Sequence, residues 1–168
     1  KWLLSVTQKM VKEVTAALDD YDLSAAIDPM LSLIDQINNW YIRRNRRRFW
    51  KSGNDSDKME AYASLYNALK TFCLVAAPFI PFLTETMWQN LKTAEDKESV
   101  HLCDYPVYNE KFHDEELEFQ MASVQKTVSM GRSLRNTYNL KNRQPLQSVA
   151  LVTRNAEEKK VLDSMRDT

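Results

Sequence analysis

The chain has 168 residues, of which 43% are hydrophobic, and its 23 basic and 23 acidic side chains give a formal net charge of zero. This length suits one well-cored domain with a small appendage. The hydrophobic content excludes an intrinsically disordered chain, and the balanced charge excludes a bulk polycation.

Helices are the expected elements, since two glycines are too few for a sheet with many tight turns. Apolar residues at spacing four predict a first helix over residues 2–19, with a core stripe of Trp2, Val6, Met10, Val14 and Leu18. A long second helix is predicted from about residue 22 to 51, with a stripe of Ile27, Leu31, Ile34, Ile37 and Tyr41. Pro29 either kinks this helix or lies in its first turn.

Three further helices are predicted by the same periodicity. The third carries the stripe Met59, Tyr62, Tyr66, Leu69 and Cys73, and the fourth carries Leu83, Met87 and Leu91. Pro78 and Pro81 separate these two helices. A fifth helix is predicted to begin near Asp114, where an acidic first turn suits the positive end of the helix dipole, and to continue through Leu134.

The last thirty residues have a mixed pattern. A turn follows Asn139, residues 148–153 predict a strand, and residues 155–165 predict a short helix. The predicted fold is therefore mainly α: a helical bundle over residues 1–138, followed by a junction and the start of a small α/β element over residues 139–168.

Charge is distributed unevenly, and its densest basic stretch reads NNWYIRRNRRRFW over residues 38–50. Residues 40–51 carry six basic side chains and no acidic one. At about 100° per residue, Arg43, Arg46 and Arg47 face away from the apolar stripe. Arg48 points toward that stripe, so it either pairs with a buried carboxylate or marks a fraying helix end.

Three interpretations of this stretch remain open. The first is a solvated helix face whose tryptophans pack under neighbouring elements. Repulsion between like charges costs roughly 0.2–0.5 kcal/mol per i,i+3 or i,i+4 pair and argues for an anionic partner instead. RNA fits best, because arginine binds phosphates and unstacked bases lie on aromatic rings; an acidic protein is the alternative.

A second acid-free stretch, residues 119–156, contains Arg132, Arg135, Lys141 and Arg143. These cations can extend a contact with an anion, or they can simply favour a helix C-terminus.

Chemistry in this chain alone is not expected. A phosphate-binding glycine loop, a GxSxG elbow and an HExxH motif do not occur in the sequence. Cys73, Cys103, His101 and His113 lack the spacing of a zinc site. Two cysteines and the lack of a signal-like or membrane-spanning run predict a cytoplasmic protein, and the start without Met, inside a helical pattern, indicates part of a longer one.

Three segments together resemble a known family: NNWYIRRNRRRFW, APFIPFLTETMWQNL and RSLRNTYNLKNRQPL, in that order. They are similar to the anticodon-binding domain of isoleucyl-tRNA synthetases, which are class I aminoacyl-tRNA synthetases. The opening KWLLSVTQ resembles the first helix of that domain, so the resemblance covers nearly the whole chain. The second segment also occurs in valyl and leucyl enzymes, which leaves those sister enzymes as alternatives.

The resemblance implies a helical domain that grips the anticodon arm of the isoleucine tRNA. The intact enzyme of this family joins isoleucine to its tRNA using ATP, but the nucleotide-binding signatures do not occur here, so no cofactor is expected in this chain. The catalytic domain of the same parent chain is an expected partner, and a membrane is not. The expected tRNA-binding residues are Trp40, Arg43, Arg44, Arg46, Arg47 and Trp50, with Lys141 and Arg143 as an outlying patch.

Overall fold

The computed structural model describes residues 1–53, 55–153 and 156–165. The chain forms two compact units, Lys1–His113 and Asp114–Thr168. The first contains α1 (Trp2–Asp19), α2 (Leu23–Asp35), a π-helix (Gln36–Ile42), α3 (Arg46–Trp50), α4 (Ser56–Ala76), α5 (Pro81–Leu91) and the 3₁₀ turns Val100–Leu102 and Glu110–Phe112. The second contains α6 (Glu115–Thr137) and α7 (Ala156–Ser164). The prediction of a mainly α fold is confirmed.

The core of the first unit forms where α1 packs against α2 and α4. The predicted stripe on α1 is confirmed, with Val6, Met10 and Val14 buried. Leu3 and Val11 are buried as well, because α1 is covered on two sides and therefore needs a wider apolar face than a surface helix.

The predicted stripe on α2 is wrong by one residue. Ala26, Met30 and Leu33 are buried, whereas Ile27, Leu31 and Ile34 are exposed. Both registers are apolar, so periodicity alone does not choose between them. The small Ala26 side chain suits close packing of α1 on α2, and this packing selects the buried face. Further along, the predicted burial of Ile37 and Tyr41 is confirmed.

The stripes predicted for α4 and α5 are correct in part: Cys73 is buried as predicted, and Tyr66, Leu69, Met87 and Leu91 are half-buried. Met59 and Tyr62 are exposed on α4, and Leu83 is exposed on α5. The buried positions are instead Thr84 and Trp88 on α5. Besides Cys73, the buried positions on α4 are Ala61, Ala68, Phe72, Val75 and Ala76. Ala61, Ala68 and Ala76 are small and suit close packing of α4, while Phe72 and Trp88 supply the bulk of the buried apolar volume.

The second helix does not run unchanged to residue 51. The α2 helix begins at Leu23, with the Asp22 side chain accepting from the N–H of Ala25 at 2.9 Å, and Pro29 lies inside the helix. The alternative that Pro29 occupies the first turn is therefore wrong. After Asp35 the chain continues as the π-helix, then turns at Asn45 into α3.

The segment after α5 is held by side chains of α4 and α5. The indole Nε1 of Trp88 donates to the carbonyl of Lys97 at 3.1 Å, and Lys70 forms an ion pair with Asp96. The Lys70 ammonium and the N–H of Thr93 donate to Asp96 and hold the pKa of its carboxyl at about 2.

In the second unit, Asp114 caps α6 by accepting from the N–H of Leu117 at 2.9 Å, which confirms the predicted start of this helix. The tail helix is confirmed as α7, although its predicted first residue, Asn155, lies outside the described residues. The predicted strand at 148–153 is wrong: the described part of the chain contains no strand there, and Val149 and Val152 are exposed. A strand needs a partner for its backbone groups, and the described residues include no strand that could pair with this segment. The α/β character of the tail is corrected accordingly, and the domain boundary at residue 138 stays a prediction.

Candidate nucleic-acid interface

The arginine-rich segment follows directly from the π-helix. In a π-helix each N–H bonds the carbonyl five residues earlier, a rare arrangement that often occurs at functional sites. Within the π-helix, Ile37 and Tyr41 are buried, Asn38 and Asn39 are exposed, and Trp40 is half-buried. The wider turn therefore lets one short stretch anchor in the core and present polar groups to solvent.

Tyr41 anchors the segment on α4. Its hydroxyl donates to the carbonyl of Ala61 at 3.1 Å, and burial raises the pKa of this hydroxyl above its usual value. The ring of Phe49 packs edge-on against Tyr41, with centroids 6.1 Å apart, and against Tyr62 at 5.1 Å. These three aromatic residues fix the beginning and end of the segment to the same helix.

Arg48 fixes the turn between the π-helix and α3. Its guanidinium donates to Asn45 Oδ1 at 3.0 Å and to the carbonyl of Asp57 at 2.9 Å, and it forms an ion pair with the Asp57 carboxylate at 2.8 Å. The predicted pairing of Arg48 with a carboxylate is thus confirmed, and the fraying alternative is wrong. The carboxylate is not buried, however, since 56% of the Asp57 side chain is exposed.

Replacing Arg48 by Ala should lower the free energy of unfolding by about 1 kcal/mol, because two hydrogen bonds and a largely solvent-exposed ion pair are lost. Replacing the exposed Arg47 by Ala should change it by less than about 0.5 kcal/mol. Urea unfolding of both variants measures the difference. Equal midpoints for the two would show that Arg48 does not hold the turn.

The remaining arginines point outward. Arg43, Arg46 and Arg47 are exposed, and within the described ranges none of the three forms an ion pair with a carboxylate. Their mutual repulsion is therefore not relieved by an acid of this part of the chain.

Two guanidinium groups lie over indole rings at a spacing of four residues. The Cζ atom of Arg44 is 6.0 Å from the ring centroid of Trp40, and that of Arg46 is 4.5 Å from the ring centroid of Trp50. Partial burial lowers the pKa of Arg44 below its usual value. Trp50 is 67% exposed, so a second planar group has access to its ring. The sequence prediction did not include these pairs.

The second basic stretch lies in the other unit. Arg135 is used internally: its NH1 donates to the carbonyls of Lys141 and Gln144, each at 2.9 Å, and so fixes the turn after α6. Lys141 and Arg143 are exposed at this turn. The predicted site residues therefore fall into two groups. One group lies on the arginine-rich segment, which contacts α4, and the other consists of Lys141 and Arg143 on the second unit.

The two cysteines and the possible metal ligands form no second site within the described residues. Cys73 and Cys103 are free thiols, and burial raises the pKa of Cys73 to about 11, which leaves it protonated and unreactive. Among residues 1–53, 55–153 and 156–165, no group of three His, Cys, Asp or Glu side chains has a metal-site arrangement. No helix in those ranges is both long and apolar enough to cross a bilayer.

Known proteins match this chain along almost its whole length. It is 63% identical over 167 residues to an isoleucine–tRNA ligase of Treponema denticola, and that match covers 99% of the chain and 15% of the relative. It is 42% identical over 167 residues to an isoleucine–tRNA ligase of Protochlamydia amoebophila, covering 99% of the chain and 16% of the relative.

The chain thus spans about 15% of the length of the curated relatives that it matches. The profile of the family described as the anticodon-binding domain of tRNA ligase matches residues 1–151. The outward arginines and both indoles, Trp40 and Trp50, lie within the matched residues. The chain belongs to the anticodon-binding domain family of tRNA ligases.

Proposed function

We propose that this chain binds the anticodon arm of the isoleucine tRNA, as one domain of a ligase that attaches isoleucine to its tRNA using ATP. Activation and transfer belong to a catalytic domain elsewhere in the parent chain, which is the expected intramolecular partner and holds the ATP. The compartment is the cytoplasm. The names of the relatives support isoleucine as the amino acid.

The observation that carries this proposal is the set of exposed, unneutralised arginines on a segment that Tyr41 and Arg48 fix to α4. Because the backbone is fixed, little conformational freedom is lost when the segment binds its ligand. Arg43, Arg46 and Arg47 then bond phosphate oxygens, for which the forked guanidinium is suited.

The two indole pairs supply contacts to the bases. An unstacked base of the anticodon loop lies on the exposed ring of Trp50 or beside Trp40, and Arg46 and Arg44 hold these rings in place. Lys141 and Arg143 add a backbone contact from the second unit, beyond the proposed end of the binding domain at residue 138.

Titration of the purified chain with isoleucine, valine and leucine tRNAs at several salt concentrations tests the proposal. The isoleucine tRNA should bind most tightly, and the logarithm of affinity should fall with a slope of roughly −0.7 per neutralised phosphate. Preference for the valine or leucine tRNA would assign the chain to a sister enzyme. Equal binding of all three would leave a basic surface without recognition, and no binding would favour an acidic protein as partner.

A further inference from the structure

An apolar stripe on α2 faces solvent. Its four members lie within about 40° of one direction around the helix axis. They are Leu23, Ile27, Leu31 and Ile34. Leu23 is 61% exposed and Leu31 is 58% exposed. The buried face of α2 is centred about 90° away, so the helix has two adjacent apolar faces, of which one is packed against the core.

Carboxylates border this stripe on one side and at one end. Residues 19–36 contain five aspartates and no basic residue. Asp28 and Asp35 lie about 80–100° from the stripe, on the side away from the core, and both are exposed. The other three, Asp19, Asp20 and Asp22, lie at its N-terminal end. A contiguous apolar surface bordered by polar groups of one sign is typical of a protein-binding site.

The charge of this border decides which kind of partner fits. RNA is disfavoured, because its phosphates would meet carboxylates. A second copy of the chain is also disfavoured, since a two-fold interface would place the aspartates of one copy against those of the other. An amphipathic helix with leucine-like residues on one face and lysine or arginine along its edges satisfies both the stripe and its border.

We propose that the α2 stripe is the docking site for a basic amphipathic helix supplied by the same polypeptide, outside these 168 residues. This inference rests on the proposed function in one respect, that the chain is a domain of a longer ligase. The relatives support that source, since about 15% of their length is matched. Covalent linkage raises the effective concentration of the helix, so a stripe of four residues is enough to hold it.

Cysteine labelling of the full-length polypeptide tests the proposal. Leu31→Cys reports on the stripe, and Ala25→Cys is the matched control, because Ala25 is exposed about 160° away on the same helix. The rate of labelling by a maleimide is measured by mass spectrometry of the α2 peptide. This rate should be at least about 10-fold lower at Leu31→Cys than at Ala25→Cys. Ile27→Cys repeats the measurement at a second position, in case the loss of Leu31 itself loosens the docking.

Equal rates for the stripe and control cysteines would overturn the proposal. Adding Asp28→Lys to Leu31→Cys should accelerate labelling several-fold, and an unchanged rate would contradict a basic partner. Labelling that accelerates on dilution would indicate a second copy, and fast labelling that slows only in a cell extract would indicate a separate protein; either result contradicts the proposed source. No step uses tRNA, so this test can fail independently of the tRNA titration.

Discussion

Replacing Arg43, Arg46 and Arg47 together by Ala is expected to weaken binding of the isoleucine tRNA by about 100-fold at 0.1 M salt. Each arginine neutralises one phosphate in the proposed interface, and each phosphate contributes a slope of roughly −0.7 to the logarithm of affinity against the logarithm of salt concentration. Three lost contacts reduce the slope by about 2, so the gap between the wild-type and variant curves should narrow toward 1 M salt, where the remaining difference reports the lost contact of Arg46 with Trp50.

The matched control removes three positive charges elsewhere in the first unit. Lys9, Lys97 and Lys111 are exposed, and the ion pairs of Lys9 and Lys97 are at the surface, so their replacement by Ala should change stability little. Both triple variants have the same net charge. The salt dependence of affinity could fall as much in the lysine variant as in the arginine variant. In that case the affinity would come from the overall charge, and the proposed interface would be wrong.

The outward arginines were predictable from the sequence because charge density and the absence of acids do not depend on the exact helix type. Arg43, Arg46 and Arg47 are exposed as predicted, although the chain follows a π-helix and a turn where an ordinary helix was expected. The contact by which Arg48 holds the arginine-rich segment to α4 was not predictable in detail. The link between Arg48 and Asp57 joins residues on opposite sides of a loop, and helical spacing says nothing about such a contact.

The positions of the helices were predictable, whereas their buried faces were less so. Asp22 and Asp114 begin helices for the local reason that their carboxylates accept from free N–H groups. On α2, however, the apolar residues extend over both Ala26 and Ile27, and packing against α1 chooses the face with the smaller residue. An apolar stripe predicted from spacing can thus be a core face or a docking face. The strand predicted at 148–153 was wrong because β-propensity does not reveal whether a partner strand exists.

Replacing Trp88 by Ala is expected to lower the free energy of unfolding by about 3–5 kcal/mol. The indole is 2% exposed and packs with Cys73, Ala77 and Val100 in a cluster apart from the main core. The change leaves a cavity there, frees the carbonyl of Lys97 from its 3.1 Å hydrogen bond, and removes the ring over which the Lys70 ammonium lies at 5.2 Å. Urea unfolding measures the loss.

Trp88→Phe and Trp50→Ala are the controls that separate the causes. Trp88→Phe keeps much of the apolar volume and loses the N–H donor, so its loss should be smaller than that of Trp88→Ala. Trp50 is 67% exposed, and its replacement by Ala should cost about 1 kcal/mol or less, mainly from the lost contact with Arg46. Trp50→Ala should instead weaken tRNA binding at every salt concentration, because stacking of a base is independent of counterion release. A loss of stability from Trp50→Ala as large as that from Trp88→Ala would show that Trp50 belongs to the core, and its role as an exposed stacking platform would be untenable.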